Sequence, residues 1–239
     1  MPYQGITTDA LLLLSENRLR DSREYYEEHK PQINALAIEP MRFIAQAAGE
    51  FVQKHDRLVS VIPTRMVSRV RRDTRFTKDK SLYRDHVWLT VGRGKNDWPF
   101  HPLFWFEIYP GRVGAGVGYW FQPPAFMEHV RQWIIDNSAL FLSAVKKAER
   151  SGFLLTGDEY KKPRRTDCPP ELLPFMQKKE LYFLRTSDDF AAVSRDDFPQ
   201  SLCNDYAKLL SLYDCLSALG DAFIAQYPNA AGDFLKPRC

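Results

Sequence analysis

The sequence LFWFEIYPGRVGAGVGYW, residues 103–120, decides the fold of this chain. Starting at Phe104, every second residue of the first half is apolar, which is the period of a β-strand with one buried face. Between the two halves stands Pro-Gly-Arg at 110–112, a turn short enough to close a hairpin. We therefore predict two antiparallel strands, residues 103–109 and residues 113–120.

Two other segments are predicted to join this hairpin in one sheet. Residues 86–91 alternate Val87, Leu89 and Val91 with other side chains, and residues 66–72 are predicted as a fourth strand. Helical patterns precede and follow these strands rather than alternate with them, which is typical of the α+β class. The sequence thus predicts an antiparallel meander sheet of about four strands, flanked by N-terminal and C-terminal helices. We expect one α+β domain over residues 1–239, with a helical part at 1–57, a sheet part at 65–121 and a mainly helical part at 122–239.

Local signals place the helices. Residues 21–24 fit a capping box, with Asp21 at the N-cap and Glu24 reaching back to the free amide. Pro40 should kink or split the next helix because it lacks an amide donor. From Pro199 onward, apolar residues recur with the spacing of one helical face. That face either packs on the chain's own domain or forms the seam of a dimer, and the oligomeric state stays open.

Composition limits the class of protein. The chain is 44% hydrophobic and 13% aromatic, which is enough for a substantial core and argues against disorder. Its net charge is only +3, so it does not coat nucleic acid or a membrane by charge alone. The apolar run at residues 11–14 is too short for a signal peptide or a membrane span, and four scattered cysteines without a C-x-x-C pair fit reduced thiols. We therefore expect a soluble, cytoplasmic protein without a membrane partner.

Positive charge is concentrated in residues 65–84, which we call the basic segment. It holds eight basic and two acidic residues, a net charge of +6, whereas the whole chain carries +3. Excess cations gathered in one place are typical of an anion-binding site. On a strand, Arg69 and Arg71 share one face and present two guanidinium groups side by side, and these planar groups suit phosphate and carboxylate oxygens.

We therefore predict that the basic segment binds an anionic, phosphorylated small molecule. The predicted binding residues are Arg69, Arg71, Arg72, Arg75, Lys78, Lys80, Tyr83 and Arg84. Asp73 and Asp79 have three interpretations. They orient the arginines around a ligand, or they serve an enzyme as general base or metal ligand while the arginines stabilise negative charge. In the third, they only pair with arginines that staple the sheet to its helices in a structural or interaction protein. Enzymatic activity and any cofactor stay open.

Other partners and chemistries have less support in the sequence. Phe76, Tyr83 and Trp88 are interleaved with basic residues, which favours nucleic acid, but no RNP, KH or helix-turn-helix pattern accompanies them. The histidines and cysteines lack metal-ligand spacing, so we expect no metal site. No G-x-S-x-G elbow or Walker loop supports acyl transfer or P-loop chemistry.

Two features of the predicted hairpin need an explanation. Gly114, Gly116 and Gly118 leave one face of their strand bare, which indicates close approach by another backbone or a ligand, or a ring or helix packed flat against it. Glu107 lies among aromatic residues. It either joins the basic site or faces solvent at the sheet edge.

Residues 71–84, RRDTRFTKDKSLYR, resemble the hallmark R-D-x-R-F-s-x-D-K-s-P-Y-K of the domain-of-unknown-function 2461 family. Other blocks that resemble the family are Glu16-Asn17, Arg23-Glu24-Tyr25-Tyr26, Gly118-Tyr119-Trp120, Pro123-Pro124, Arg131 and residues 157–163. Leu82 stands where the family usually has proline, and Tyr25 where it usually has tryptophan. The resemblance implies a soluble bacterial or fungal protein whose polar hallmark is the site, and it assigns no catalytic role to any residue.

Overall fold

A computed structural model describes residues 3–75, 77–94, 100–120 and 122–230. Its α-helices are α1 (Thr8–Arg20), α2 (Arg23–Ile33), α3 (Glu39–His55), α4 (Pro63–Met66), α5 (Pro124–Asp136), α6 (Ser138–Arg150), α7 (Leu173–Met176) and α8 (Phe198–Gln226). A π-helical turn lies at Asn34–Ile38, and 3-10 turns lie at Pro170–Leu172 and Phe190–Ser194. Its strands are β1 (Val87–Val91), β2 (Leu103–Tyr109), β3 (Arg112–Tyr119), β4 (Leu154–Thr156) and β5 (Leu181–Ser187).

The strands form one open antiparallel sheet, flanked by helices, in the order β1-β2-β3-β5-β4. β4 and β5 pair with Leu155 opposite Phe183. The first three strands lie where the alternating patterns predict them, each end within one residue. The predicted α+β class with an antiparallel sheet is confirmed.

The predicted fourth strand at residues 66–72 is wrong. Pro63 opens a helical turn that includes Met66, since proline suits the first position of a helix. Beyond it, Val67 and Arg71 form only isolated β-bridges, with Leu89 and Tyr83 respectively. The remaining strands of the sheet are β4 and β5, which carry no clear alternation: β4 has three residues, and β5 begins with three consecutive buried side chains.

The capping box at residues 21–24 is shifted by one position. Ser22 is the N-cap of α2, and its hydroxyl oxygen accepts a hydrogen bond from the amide of Tyr25. Asp21 instead ends α1 in the left-handed conformation, with φ 46° and ψ 32°. Aspartate tolerates this conformation better than most residues, and its side chain is left available for another partner.

The helical region from α2 to α3 contains a π-helical turn just before Pro40. The π-helical turn ends at residue 38, and α3 begins at residue 39 with Pro40 inside its first turn. A wider turn accommodates the missing amide donor of proline. The change between α- and π-helix occurs within one continuous helical stretch, so the kink or split at Pro40 stays a prediction.

The apolar face of α8 is buried within the chain, as packing on its own domain requires. Its predicted positions are all buried: Leu202, Tyr206, Leu209, Tyr213, Leu216 and Phe223. Within the described residues, no helix combines the length and the apolar character that crossing a membrane demands.

The chain divides into two compact units. The first comprises Met1–Val91, Trp105–Ala115 and Thr186–Asn204, and the second comprises Gly92–Phe104, Gly116–Arg185 and Asp205–Cys239. The first unit contains α1 to α4, β1 and the basic segment, with a core that includes Leu14, Ile44 and Leu89. The second contains α5 to α7 and β4, with a core that includes Phe126 and Phe141. The single domain over residues 1–239 stays a prediction.

Gly118 explains part of the glycine pattern in β3. A Cβ atom at this position would lie 2.4 Å from the carbonyl oxygen of Leu181, and the residue has φ +150°. The close approach is therefore made by the backbone of β5. Glu107 is largely buried, and its Oε1 lies 3.5 Å from Nη2 of Arg112. Burial raises the pKa of Glu107, and the nearby Arg112 charge partly opposes the rise.

Candidate functional site

The basic segment folds back on itself as an irregular hairpin. The amide of Arg72 donates to the carbonyl of Leu82 at 2.8 Å, and the amide of Arg84 donates to the carbonyl of Val70 at 2.9 Å. The guanidinium group of Arg84 also donates from Nη1 to the carbonyl oxygens of Arg69 and Arg71, at 2.8 Å each. Arg84 thus holds the backbone between two arginines that were predicted to act together.

At the tip of this hairpin, Asp79 is surrounded by donors. Its Oδ1 accepts hydrogen bonds from the amide and the hydroxyl of Ser81, at 3.0 and 2.8 Å. Its Oδ2 accepts from Nη2 of Arg18 at 3.1 Å and from Nη1 of Arg72. The hydrogen bonds from Ser81, then those from Arg72 and Arg18, hold the pKa of Asp79 well below its usual range. We call Arg18, Arg72, Asp79 and Ser81 the Asp79 cluster.

The Asp79 cluster ties α1 to the hairpin. Nη1 of Arg18 donates to the hydroxyl of Ser81 at 2.9 Å and to the carbonyl of Tyr83 at 3.0 Å. One turn further on, Oδ1 of Asp21 accepts the amide of Leu82 at 2.6 Å. The C-terminal end of α1 is therefore held to the returning arm of the hairpin through two of its residues.

Asp73 has a local and exposed partner. Arg75 donates to it from Nε and Nη2, at 3.0 and 2.7 Å. The Arg75 side-chain hydrogen bonds and its backbone amide lower the pKa of Asp73 to about 2. Because exposed pairs of this kind contribute little to stability, this contact mainly fixes the loop locally.

Beside the hairpin lies a cavity of about 220 Å³, which we call the arginine cavity. It is lined by three cationic side chains, Arg42, Arg69 and Arg71. Its polar lining is completed by Tyr26, Asn34, Thr64 and Ser68, and its apolar lining is Ile38, Val67 and Val70. α2, the π-helical turn, α3 and the start of the basic segment all contribute.

Arg69 and Arg71 are the two cationic residues of the basic segment that line this cavity. Both are exposed, and within the described part of the chain neither guanidinium group forms an ion pair or a hydrogen bond. The strand-like spacing therefore brings together the two residues predicted from it, although the strand itself is reduced to an isolated bridge.

Arg42 is a cavity residue that the sequence does not reveal. It lies on α3, more than twenty positions before the basic segment, where one arginine among polar residues is typical of a solvated helix face. Its Nη1 forms an ion pair with Glu39 one turn earlier. Its Nε is buried, and among the described residues it has no hydrogen-bond partner.

The other predicted binding residues lie elsewhere. Arg72 belongs to the Asp79 cluster, and Lys80 donates to the carbonyl of Thr74 at 2.8 Å. Lys78 is exposed and does not line the cavity. Tyr83 is buried, which raises its pKa, and its ring stacks on that of Tyr26 with 4.6 Å between centroids. Tyr83 therefore packs against Tyr26, which lines the cavity.

Comparison with known proteins decides the family. The family model described as conserved hypothetical protein (DUF2461) matches residues 9–214, most of the chain. The protein belongs to the DUF2461 family. No curated protein and no solved structure gives a significant match. In this DUF2461 protein, the matched range contains both the Asp79 cluster and the arginine cavity.

Tyr83 and Trp88, two of the aromatic residues that favoured nucleic acid, already pack against side chains of this DUF2461 chain. The ring of Trp88 is covered by Arg84, 4.8 Å from the centroid. His86 stacks on Tyr109 at 4.2 Å, and Arg112 lies 4.8 Å from the centroid of Tyr109. A base would have to displace these contacts. Phe76 lies outside the described residues.

No group of three or more histidine, cysteine, aspartate or glutamate side chains suited to a metal ion is found in the described ranges. Asp79 directs both carboxylate oxygens at donors of the protein. Asp73 does the same with Arg75. Both carboxylates are therefore hydrogen-bonded to arginine side chains of the same chain.

Proposed function

We propose that this DUF2461 protein binds a small phosphorylated molecule in the arginine cavity, with Arg69 and Arg71 as its principal charged contacts. One observation carries the proposal: two guanidinium groups line the same cavity and lack acidic partners in the described part of the chain. An anion would offset their mutual repulsion. Arginine forks also match phosphate oxygens in geometry.

The size of the cavity supports a small ligand. Its volume of about 220 Å³ is below the roughly 300–1,000 Å³ of sites for drug-sized molecules. The hydroxyl groups of Thr64 and Ser68 are available as neutral donors or acceptors beside the arginines. Together they favour a phosphate group with a short polar remainder.

The rest of the basic segment contributes in other ways. Arg84 fixes the backbone that carries Arg69 and Arg71. Lys78 and Lys80 add positive potential without lining the cavity, which favours the approach of anions. For Arg72 and Asp79 we propose a structural role, because their cluster ties α1 to the hairpin.

The enzymatic alternative draws less support from the geometry. A general base is most effective when its pKa lies near the working pH. Hydrogen bonds to Ser81, Arg72 and Arg18 keep the pKa of Asp79 far below that range. The pKa of Asp73 is lowered to about 2.

We include a cytoplasmic location in the proposal. Cys168, Cys203 and Cys215 are free thiols, which fit a reducing compartment.

Calorimetric titration with inorganic phosphate and with glycerol 3-phosphate tests the ligand site. Charge-assisted hydrogen bonds contribute about 1.5–3 kcal/mol each, so Arg69→Ala and Arg71→Ala should each weaken binding roughly 10- to 100-fold. Arg57→Ala is the matched control, since Arg57 is exposed and does not line the cavity. Equal affinity in all four proteins, or no saturable binding by the unaltered chain, would rule the proposal out.

A further inference from the structure

The arrangement around Arg42 indicates how the ligand is held. A guanidinium group offers five N–H donors along three edges. The ion pair with Glu39 engages Nη1 and leaves the edge formed by Nε and Nη2. Nε is closed to solvent, so an acceptor that enters the cavity would meet Nη2, for which the described residues provide no hydrogen-bond partner.

Nη2 carries two N–H donors, and its hydrogen bonds to phosphate oxygens are charge-assisted. Glu39 holds the far end of the guanidinium group and limits its rotation. Arg42 is therefore oriented before the ligand arrives, which reduces the entropy that binding must overcome.

We propose that Arg42, Arg69 and Arg71 form a three-arginine site for the terminal phosphate of a small phosphate monoester, with Arg42 binding a phosphate oxygen through Nη2. This inference rests on the proposed function and adds both a binding residue and a class of ligand to it. Arg42 comes from α3, whereas the other two arginines come from the basic segment.

Charge and oxygen count favour a monoester over other anions. A phosphate monoester carries a charge of about −1.5 to −2 at neutral pH and presents three terminal oxygens. A carboxylate offers two oxygens and a single charge, which satisfies one arginine fork. A phosphodiester has two terminal oxygens and a single charge, and it carries substituents on both sides. Three guanidinium groups in about 220 Å³ therefore match the monoester best.

The remaining lining indicates the rest of the ligand. Asn34, Thr64 and Ser68 are neutral hydrogen-bonding residues, and Ile38 and Val67 are apolar. A short chain with one or two hydroxyl groups fits this combination. Glycerol 3-phosphate is a suitable probe, and glycerate and the methyl diester of glycerol phosphate are its matched carboxylate and diester controls.

Calorimetry on the full chain provides the first test. We expect glycerol 3-phosphate to bind roughly tenfold or more tightly than either control. Arg42→Lys keeps the charge and removes the fork, so it should weaken glycerol 3-phosphate binding about tenfold and reduce the preference over glycerate. Arg57→Lys, at an exposed site outside the cavity, should change neither.

The outcomes separate the two proposals. If Arg42→Lys binds like the unaltered protein while Arg69→Ala loses binding, the role of Arg42 is wrong and the ligand site stands. If glycerate or the diester binds as tightly as the monoester, the ligand class is wrong. If no phosphate compound binds the unaltered chain, both proposals fail.

A measurement on the unaltered protein covers the case in which Arg42→Lys does not fold. Arginine Nε–H resonances in a ¹⁵N spectrum should include a slowly exchanging signal from the buried Nε of Arg42. That signal should shift when glycerol 3-phosphate is added, together with those of Arg69 and Arg71, which are assigned with lysine variants. A slowly exchanging signal that stays in place at saturating ligand would overturn the assignment of Arg42.

Discussion

Asp79 and Arg42 show how burial and partners decide what a charged residue does. Asp79 is exposed, but it receives hydrogen bonds from Ser81, Arg72 and Arg18, so its charge is compensated by groups of the protein. Arg42 has one compensated nitrogen and one buried nitrogen without a described partner. The first arrangement is complete by itself, whereas the second leaves a donor of the guanidinium group unsatisfied.

Replacing Asp79 by asparagine should lower the melting temperature at pH 7. The pKa of Asp79 is lower in the folded protein than the value of about 3.9 for an unfolded chain, so its contribution to stability is fully present above that value. The contribution is lost as the pH falls through the lower, folded pKa. The difference in melting temperature between Asp79→Asn and the unaltered protein should therefore shrink below about pH 4.

Asp73→Asn is the matched control for that experiment. Asp73 also has a lowered pKa, but its partner Arg75 is two residues away, and both side chains are exposed. Its variant should melt close to the unaltered protein. A larger loss for Asp73→Asn than for Asp79→Asn would show that the Asp79 cluster is not the structural part of the basic segment.

Gly118 is a second residue whose environment gives a definite prediction. Gly118→Ala would place a methyl group 2.4 Å from the carbonyl oxygen of Leu181, in a conformation that side chains rarely adopt. We expect a loss of about 1–3 kcal/mol in the free energy of unfolding, measured with guanidinium chloride. Gly111→Ala separates backbone strain from steric overlap. Gly111 also has a positive φ, +79°, but a Cβ added there would meet no atom of the described residues within 4 Å. Equal losses at the two positions would contradict the role given to the β5 backbone.

At the scale of elements, the joint between α1 and the hairpin depends on a backbone donor that proline lacks. The amide of Leu82 donates a hydrogen bond to Oδ1 of Asp21 at 2.6 Å. The DUF2461 family usually has proline at this position. Leu82→Pro should destabilise this chain by about 1.5–3 kcal/mol, because a charged acceptor loses its partner.

A double-mutant cycle with Asp21→Ala checks the cause. If the hydrogen bond carries the effect, the double variant should be only slightly less stable than either single variant. Additive losses in chemical denaturation would mean that Leu82→Pro acts through the backbone alone. Asp21→Asn retains an acceptor oxygen and should keep more of the stability than Asp21→Ala.

Element by element, the strands whose sequence alternates are predicted, and the strands without alternation are missed. β1, β2 and β3 alternate along the chain and were predicted within one residue. β5 begins with Leu181, Tyr182 and Phe183, all buried, so no period of two marks it. Residues 66–72 are predicted as a strand, but the helical turn opened by Pro63 ends at Met66, and beyond it only Val67 and Arg71 form isolated bridges.

The candidate site was predictable only where its residues are neighbours in sequence. Arg69 and Arg71 are two positions apart, so a local pattern places them together. Arg42 reaches the same cavity from α3, and such long-range proximity leaves no trace in local spacing. The pairing of Asp79 with Arg18 is not predictable for the same reason, since 61 positions separate the two residues.

At the scale of the whole molecule, the net charge of +3 is too small to attract anions over long distances. The basic segment carries +6, and part of that charge is compensated by Asp73 and Asp79. Recognition must therefore depend on short-range contacts within the cavity. Because Arg69 and Arg71 are exposed, salt screens their charges, so phosphate binding should weaken as the ionic strength rises.

The division into two compact units raises the question of whether the whole chain unfolds cooperatively. One boundary follows β1, and the other four fall inside β2, β3, β5 and α8, so each unit includes parts of elements that continue into the other. Domain boundaries normally fall in exposed, flexible segments. We therefore expect one cooperative unfolding transition, in agreement with the predicted single domain.

Two buried thiols provide the test. Cys203 belongs to the first unit and Cys215 to the second, and both are buried and free. In a background with Cys168 and Cys239 changed to serine, each should react with a thiol reagent only after unfolding. If the chain unfolds as one unit, both cysteines become reactive over the same range of guanidinium chloride, and the loss of circular dichroism coincides. Separate midpoints for Cys203 and Cys215 would instead show that the units unfold independently, and the single domain would be wrong.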